Sequence, residues 1–180
     1  MAKYSVSSLA TDYIEEHLSE SNFDNLLKLE ISKQLSYSIK IYSCYKLLNE
    51  CCTEFSDILL SDDISKSFVA SNEFTISLDL INAELDIKQI PVHLRKSHKA
   101  FENSLNEFMT AAVLISQATG IMLNIYDGDP KEVKPLTDRS LTHIKLGSDQ
   151  LIEFATTSLE VHIKQIVASN EAIKQYSSMH

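Results

Sequence analysis

The stretch SNEFTISLDLINAEL, residues 71–85, decides the fold. Phe74, Ile76, Leu78 and Leu80 alternate with polar residues, the period-2 pattern of a half-buried strand. The same region also divides into two helical stripes. Val69, Ile76, Leu80, Ala83 and Ile87 follow one, and Phe74, Leu78, Ile81 and Leu85 follow a second beside it. No Gly or Pro interrupts the stretch, so nothing turns the chain between two strands. A lone hairpin in an otherwise helical chain would also be poorly stabilised. The reading is therefore a helix, and the chain becomes all-α.

Upstream, Leu27, Ile31, Leu35, Ile41, Tyr45, Leu48, Cys52, Phe55 and Leu59 recur mostly at steps of three and four, one buried helical stripe. Ser21 and Asp24 give that helix a capping signature, and Asp62 and Asp63 end it and can cap the next. A short amphipathic helix is expected before it, around Ser8 to Leu18. Downstream, Pro91 suits a first helical position. Leu94, His98, Phe101, Leu105, Phe108, Ala112 and Ile115 then form the cleanest stripe in the chain, with Gly120 bending or ending it. Asp127-Gly128-Asp129-Pro130 stops that helix as a turn with a capping acid. Pro135 places the start of the last helix near Leu136. Its stripe runs through Leu141, Ile144, Leu151, Ala155, Leu159, His162, Ile166 and Ile173, with Gly147 permitting close helix approach.

Composition agrees. The 180 residues hold only 3 Gly and 3 Pro, and 44% are hydrophobic, which favours a few long elements around a substantial core. The expected architecture is a single domain, an antiparallel bundle of about four long helices plus the short N-terminal one. Of the net charge of −9, residues 1–90 carry −8 (7 basic, 15 acidic) and residues 91–180 carry −1 (9 basic, 10 acidic). That field disfavours nucleic acid and anionic membrane as partners and favours a basic protein surface. Cys44, Cys51 and Cys52, odd in number and clustered, fit a reducing cytoplasm better than a disulfide framework. The first 25 residues lack an apolar secretory core, and no apolar run is long enough to span a bilayer.

Phosphate-binding glycine loops, paired metalloprotease histidines, Cys-x-x-Cys and the nucleophile elbow are all missing from the sequence. An enzyme is not expected, and neither is a cofactor. One constellation carries chemistry. In an antiparallel bundle, residues equidistant from a connection lie level. His98 and His162 stand 32 residues before and after Pro130, and successive connections bring Cys44 near the same level. Two imidazoles and a thiolate could ligate zinc, and two close imidazoles could form a switch between pH 5 and 7. Glu102, one turn from His98, could orient it.

The function expected is a non-enzymatic protein-interaction module, an adaptor, inhibitor or immunity-type protein acting through an acidic helical surface. Tyr37 and Tyr42, read as partly off the main stripe, are candidate contact residues, and a homodimer is one form such contact could take. Arg95, Lys96 and Lys99, crowding the start of a helix against its dipole, are a candidate anion or acidic-partner site. Alignment of Asp57, Asp62, Asp63, Asp79, Glu84 and Asp86 on one surface would make a nucleic-acid mimic. The alternative is a small-molecule or metal-binding bundle with a site between helices near Cys44, His98 and His162.

Overall fold

The computed structural model describes residues 25–61, 63–85 and 90–178, with side chains described over 33–171 apart from 62, 86–89 and 93. The expected N-terminal helix, the Ser21/Asp24 cap, Asp62 and Asp86 lie outside the described residues. Four helical rods account for the rest. α1 spans Asn25–Leu59, α2 Ile64–Glu84 and α3 Arg95–Met122. The fourth rod is α4, Val133–Phe154, continued through a π-helical turn, Ala155–Leu159, into α5, Glu160–Ser178. Successive rods pack side by side, and α5 returns to α1 to close the ring. The pairing of Ser104 with Gly147 and of Glu107 with His143 shows α3 and α4 running antiparallel.

The stretch 71–85 is helical up to Glu84, with Leu85 as its C-cap. Phe74, Leu78, Ile81 and Leu85 are buried, while Val69, Ile76 and Leu80 face outward. α2 is thus apolar on two sides, and the strand-like alternation is these two stripes read together. Asp63 caps α2 by accepting from the Lys66 amide at 3.0 Å. That bond, chiefly, holds its carboxyl below the usual range.

α3 is the central rod. All seven residues of its expected stripe are buried, and so are Ala111, Leu114 and Ala118 on adjoining faces. Pro91, expected at a first helical position, is instead the N-cap residue of a 3-10 turn, Val92–Leu94, that leads into α3. α3 runs through Gly120 to Met122, and its end is wound in by the Ile125 and Tyr126 amides, which both donate to the Gly120 carbonyl. Asn124, at φ 54°, makes the reversal.

The last rod begins earlier than Leu136. Asp129 caps a 3-10 turn, Pro130–Glu132, and α4 follows at Val133. Pro135 is tolerated because the first four amides of a helix have no intrahelical acceptor to lose. Leu141, expected on the buried stripe, is 58% exposed, whereas Phe154, not on it, is fully buried. The π turn inserts extra backbone between Phe154 and His162 and re-phases the rod. The face that packs on α3 before the turn gives way to one that packs on α1 after it. Gly147 works as expected. A Cβ there would stand 3.2 Å from the Phe108 ring, and the Gly147 carbonyl accepts from Ser104 Oγ at 2.9 Å.

Candidate functional site

Two features stand out, a polar centre inside the bundle and an apolar face outside it. The polar centre is organised by α1. Tyr37 is 2% exposed and Ser38 is fully buried. The Tyr37 ring contacts both histidines, with centroids 5.9 Å from His98 and 5.6 Å from His162. His98 and His162, expected at one level, thus both lie against the Tyr37 ring.

Hydrogen bonding distinguishes the two imidazoles. His98 Nε2 is 3.2 Å from Glu102 Oε1, an ion-pair distance off the line of a good hydrogen bond. The carboxylate favours the proton on Nε2, so Nδ1 accepts from the Tyr37 hydroxyl at 3.2 Å. Ser38 donates its one proton to Gln165 Oε1 at 2.5 Å. Its oxygen then accepts from His162 Nδ1–H at 3.2 Å. These partners assign the histidines opposite tautomers, His98 through the Glu102 carboxylate and His162 through the Ser38 hydroxyl.

Electrostatics disfavour charge on His98 and on Tyr37. Burial lowers the His98 pKa, opposed by Glu102 and reinforced by Lys99. Burial raises the Tyr37 phenol, and Glu102 raises it further. Glu102 is partly exposed and also pairs with Lys99 at 3.3 Å. The arrangement can hold three helices in register and can exchange a proton through Glu102.

Cys44 is buried but lies seven residues, about 10 Å, further along α1 than Tyr37. Burial first, and Glu84 next, push its thiol up to about 12, opposed by Lys40. Among the described residues, no group of three or more His, Cys, Asp or Glu side chains is placed to hold a metal ion. All three cysteines are free thiols.

Tyr37 is no surface contact. Counting back from Ile41 by four reaches it, so Tyr37, Ile41, Cys44, Leu48 and Phe55 form the true buried line of α1, and Tyr45 and Cys52 flank it. That spacing was the signal that marks Tyr37 as core. Tyr42 is exposed as expected. Arg95, Lys96 and Lys99 are exposed on the first turns of α3, where Lys99 pairs with Glu102.

The external feature is the outward stripe of α2. Val69, Ile76 and Leu80 are 52%, 60% and 50% exposed, and Ala83 continues the line. Exposed Glu73 and Asp79 flank the stripe. Of the other acids in this region, Asp63 caps the helix and Glu84 lies 4.0 Å from Lys40. Asp57 is exposed on α1. Among the described residues, no helix is long and apolar enough to cross a membrane. No family model, no curated protein and no solved structure matches this chain.

Proposed function

We propose that this chain is a non-enzymatic protein-interaction module whose outer α2 face receives a basic amphipathic segment of a partner protein. The observation that carries the reading is the double-sided character of α2. Its inner stripe is used by the core, and its outer stripe of Val69, Ile76, Leu80 and Ala83 has the helical spacing that another helix reads. Val69, Ile76 and Leu80 are each about half exposed, so covering them gains roughly half of the 1.5–3 kcal/mol that full burial of a large aliphatic group is worth.

Charge selects the partner. Glu73 and Asp79 flank the stripe, and the acidic half of the sequence contains it. Lysines or arginines on the rim of an incoming helix would pair with these acids and speed its encounter. A second copy presenting the same stripe would bring like charges together, so a basic partner is favoured over self-association. Three free thiols agree with work in a reducing cytoplasm.

The test uses a fluorescent 14-residue helical peptide of Leu and Lys, with a Leu/Glu peptide of the same pattern as control. Saturable one-to-one binding of the Leu/Lys peptide, weakened at least tenfold by Ile76→Asp with Leu80→Asp, is the expected result. Both positions are exposed, so the double variant keeps its fold. Equal binding of the two peptides, or no effect of the double variant, would remove the reading.

A further inference from the structure

The polar centre holds a connected file of three titratable side chains. The Tyr37 hydroxyl donates to His98 Nδ1 at 3.2 Å, and His98 Nε2 stands 3.2 Å from Glu102 Oε1. Both separations fall within the reach of proton transfer, about 2.6–3.2 Å between heavy atoms. The file starts in the core, where Tyr37 is 2% exposed, and ends at a partly exposed carboxylate. Among the described residues, Tyr42, Tyr45 and Tyr126 have no such base at the hydroxyl.

Removing an electron from a buried phenol leaves a radical cation where charge is poorly solvated. A base at the hydroxyl lifts that cost by taking the proton as the electron departs. His98 alone would only move the charge onto its own ring, and burial disfavours the charged imidazole. With Glu102 at its far side, the ring can gain a proton at Nδ1 and lose one from Nε2. Tyr37 then ends as a neutral phenoxyl radical, His98 as the opposite neutral tautomer, and Glu102 as a carboxylic acid that hands its proton to water. No charge is left in the core.

Ring packing supplies the path for the electron. His162 lies 5.6 Å from the Tyr37 ring, Phe154 lies 6.0 Å from His162, and the half-buried Tyr45 lies 5.8 Å from Phe154.

We propose that Tyr37 is a one-electron redox site, reducing an oxidising radical or an outer-sphere metal oxidant while its proton leaves through His98 and Glu102. Burial shields the phenoxyl radical from other radicals, so it persists. The site is separate from the outer α2 face and stands without it.

The probe is tris(bipyridine)ruthenium(III), generated by a laser flash with a cobalt(III) ammine quencher and applied to the full chain. The radical is followed by absorbance and by electron paramagnetic resonance. Expected is a phenoxyl signal that outlives at least tenfold any formed in Tyr37→Phe. Its formation should slow in heavy water, and should slow at least tenfold in His98→Gln and in Glu102→Gln. A hydrogen bond that merely joins helices predicts none of this. A short-lived signal, an equal lifetime in Tyr37→Phe, unchanged formation in Glu102→Gln, or indifference to heavy water overturns the proposal. Glu102 is partly exposed, so Glu102→Gln keeps the fold and decides alone should either core variant fail to fold.

Discussion

Tyr37 and Ser38 are adjacent residues that reach different histidines, because neighbouring positions on a helix point about 100° apart. Each imidazole thereby meets its own hydroxyl from α1. For His98 this has a pH consequence. Burial lowers its folded pKa below the ordinary value of 6.5. As pH falls through 6.5 the unfolded chain takes up a proton that the folded chain still refuses, so stability is intact above that pH and declines below it. Thermal melting at pH 7.5 and 5.5 should show a loss on acidification that is smaller in His98→Gln, where an amide can still accept from Tyr37. An equal loss in both proteins would place the acid sensitivity elsewhere. The histidine pair was legible in the sequence, because counting from Pro130 needs only antiparallel rods. Tyr37 was not, because the stripe was followed from Leu35 to Ile41 and stepped over it. The hydroxyl partners of the imidazoles come from a rod remote in sequence, and no local pattern announces them.

At the scale of elements, the main stripe of α3 was readable because its positions recur at three-or-four steps and are all buried, whereas Ala111, Leu114 and Ala118 on adjoining faces lay outside it. α2 was readable once its alternation was divided into two stripes. The fourth rod was harder. Pro135 looks like a barrier but costs nothing where amides are already orphaned, and the π turn shifts the buried face without a Gly or Pro to mark it. Leu141 is turned out within α4 itself, whose buried line runs through Ser140, Gly147, Leu151 and Phe154. The α3–α4 contact is the tightest of the set, and Gly147 is its fulcrum. Gly147→Leu should force α4 away from the Phe108 ring and the Glu107 Cβ, only 3.2 and 3.3 Å from a Cβ at that position. We expect destabilisation of about 1–3 kcal/mol, the usual cost of overpacking. Urea denaturation measures it, and an unchanged midpoint would mean that the interface has slack the structure does not show.

For the whole molecule, the described residues build an all-α bundle from four rods and distribute their apolar side chains unevenly. The core takes one stripe from each rod, with α3 contributing more than one face, while α2 keeps a second stripe in water beside acidic residues. An interaction surface is the account that joins that exposed stripe to the charge asymmetry of the sequence. The sequence showed both stripes of α2 but not which of them faces the core. Only the packing of α2 between α1 and α3 assigns that. The most direct measurement is methyl NMR of the chain during titration with the Leu/Lys peptide. The account predicts that the methyl signals of Val69, Ile76 and Leu80 move together and saturate at one equivalent, while those of Leu141 and Ile152, exposed on α4, stay in place. Shifts centred on α4, or spread evenly over the surface, would contradict it.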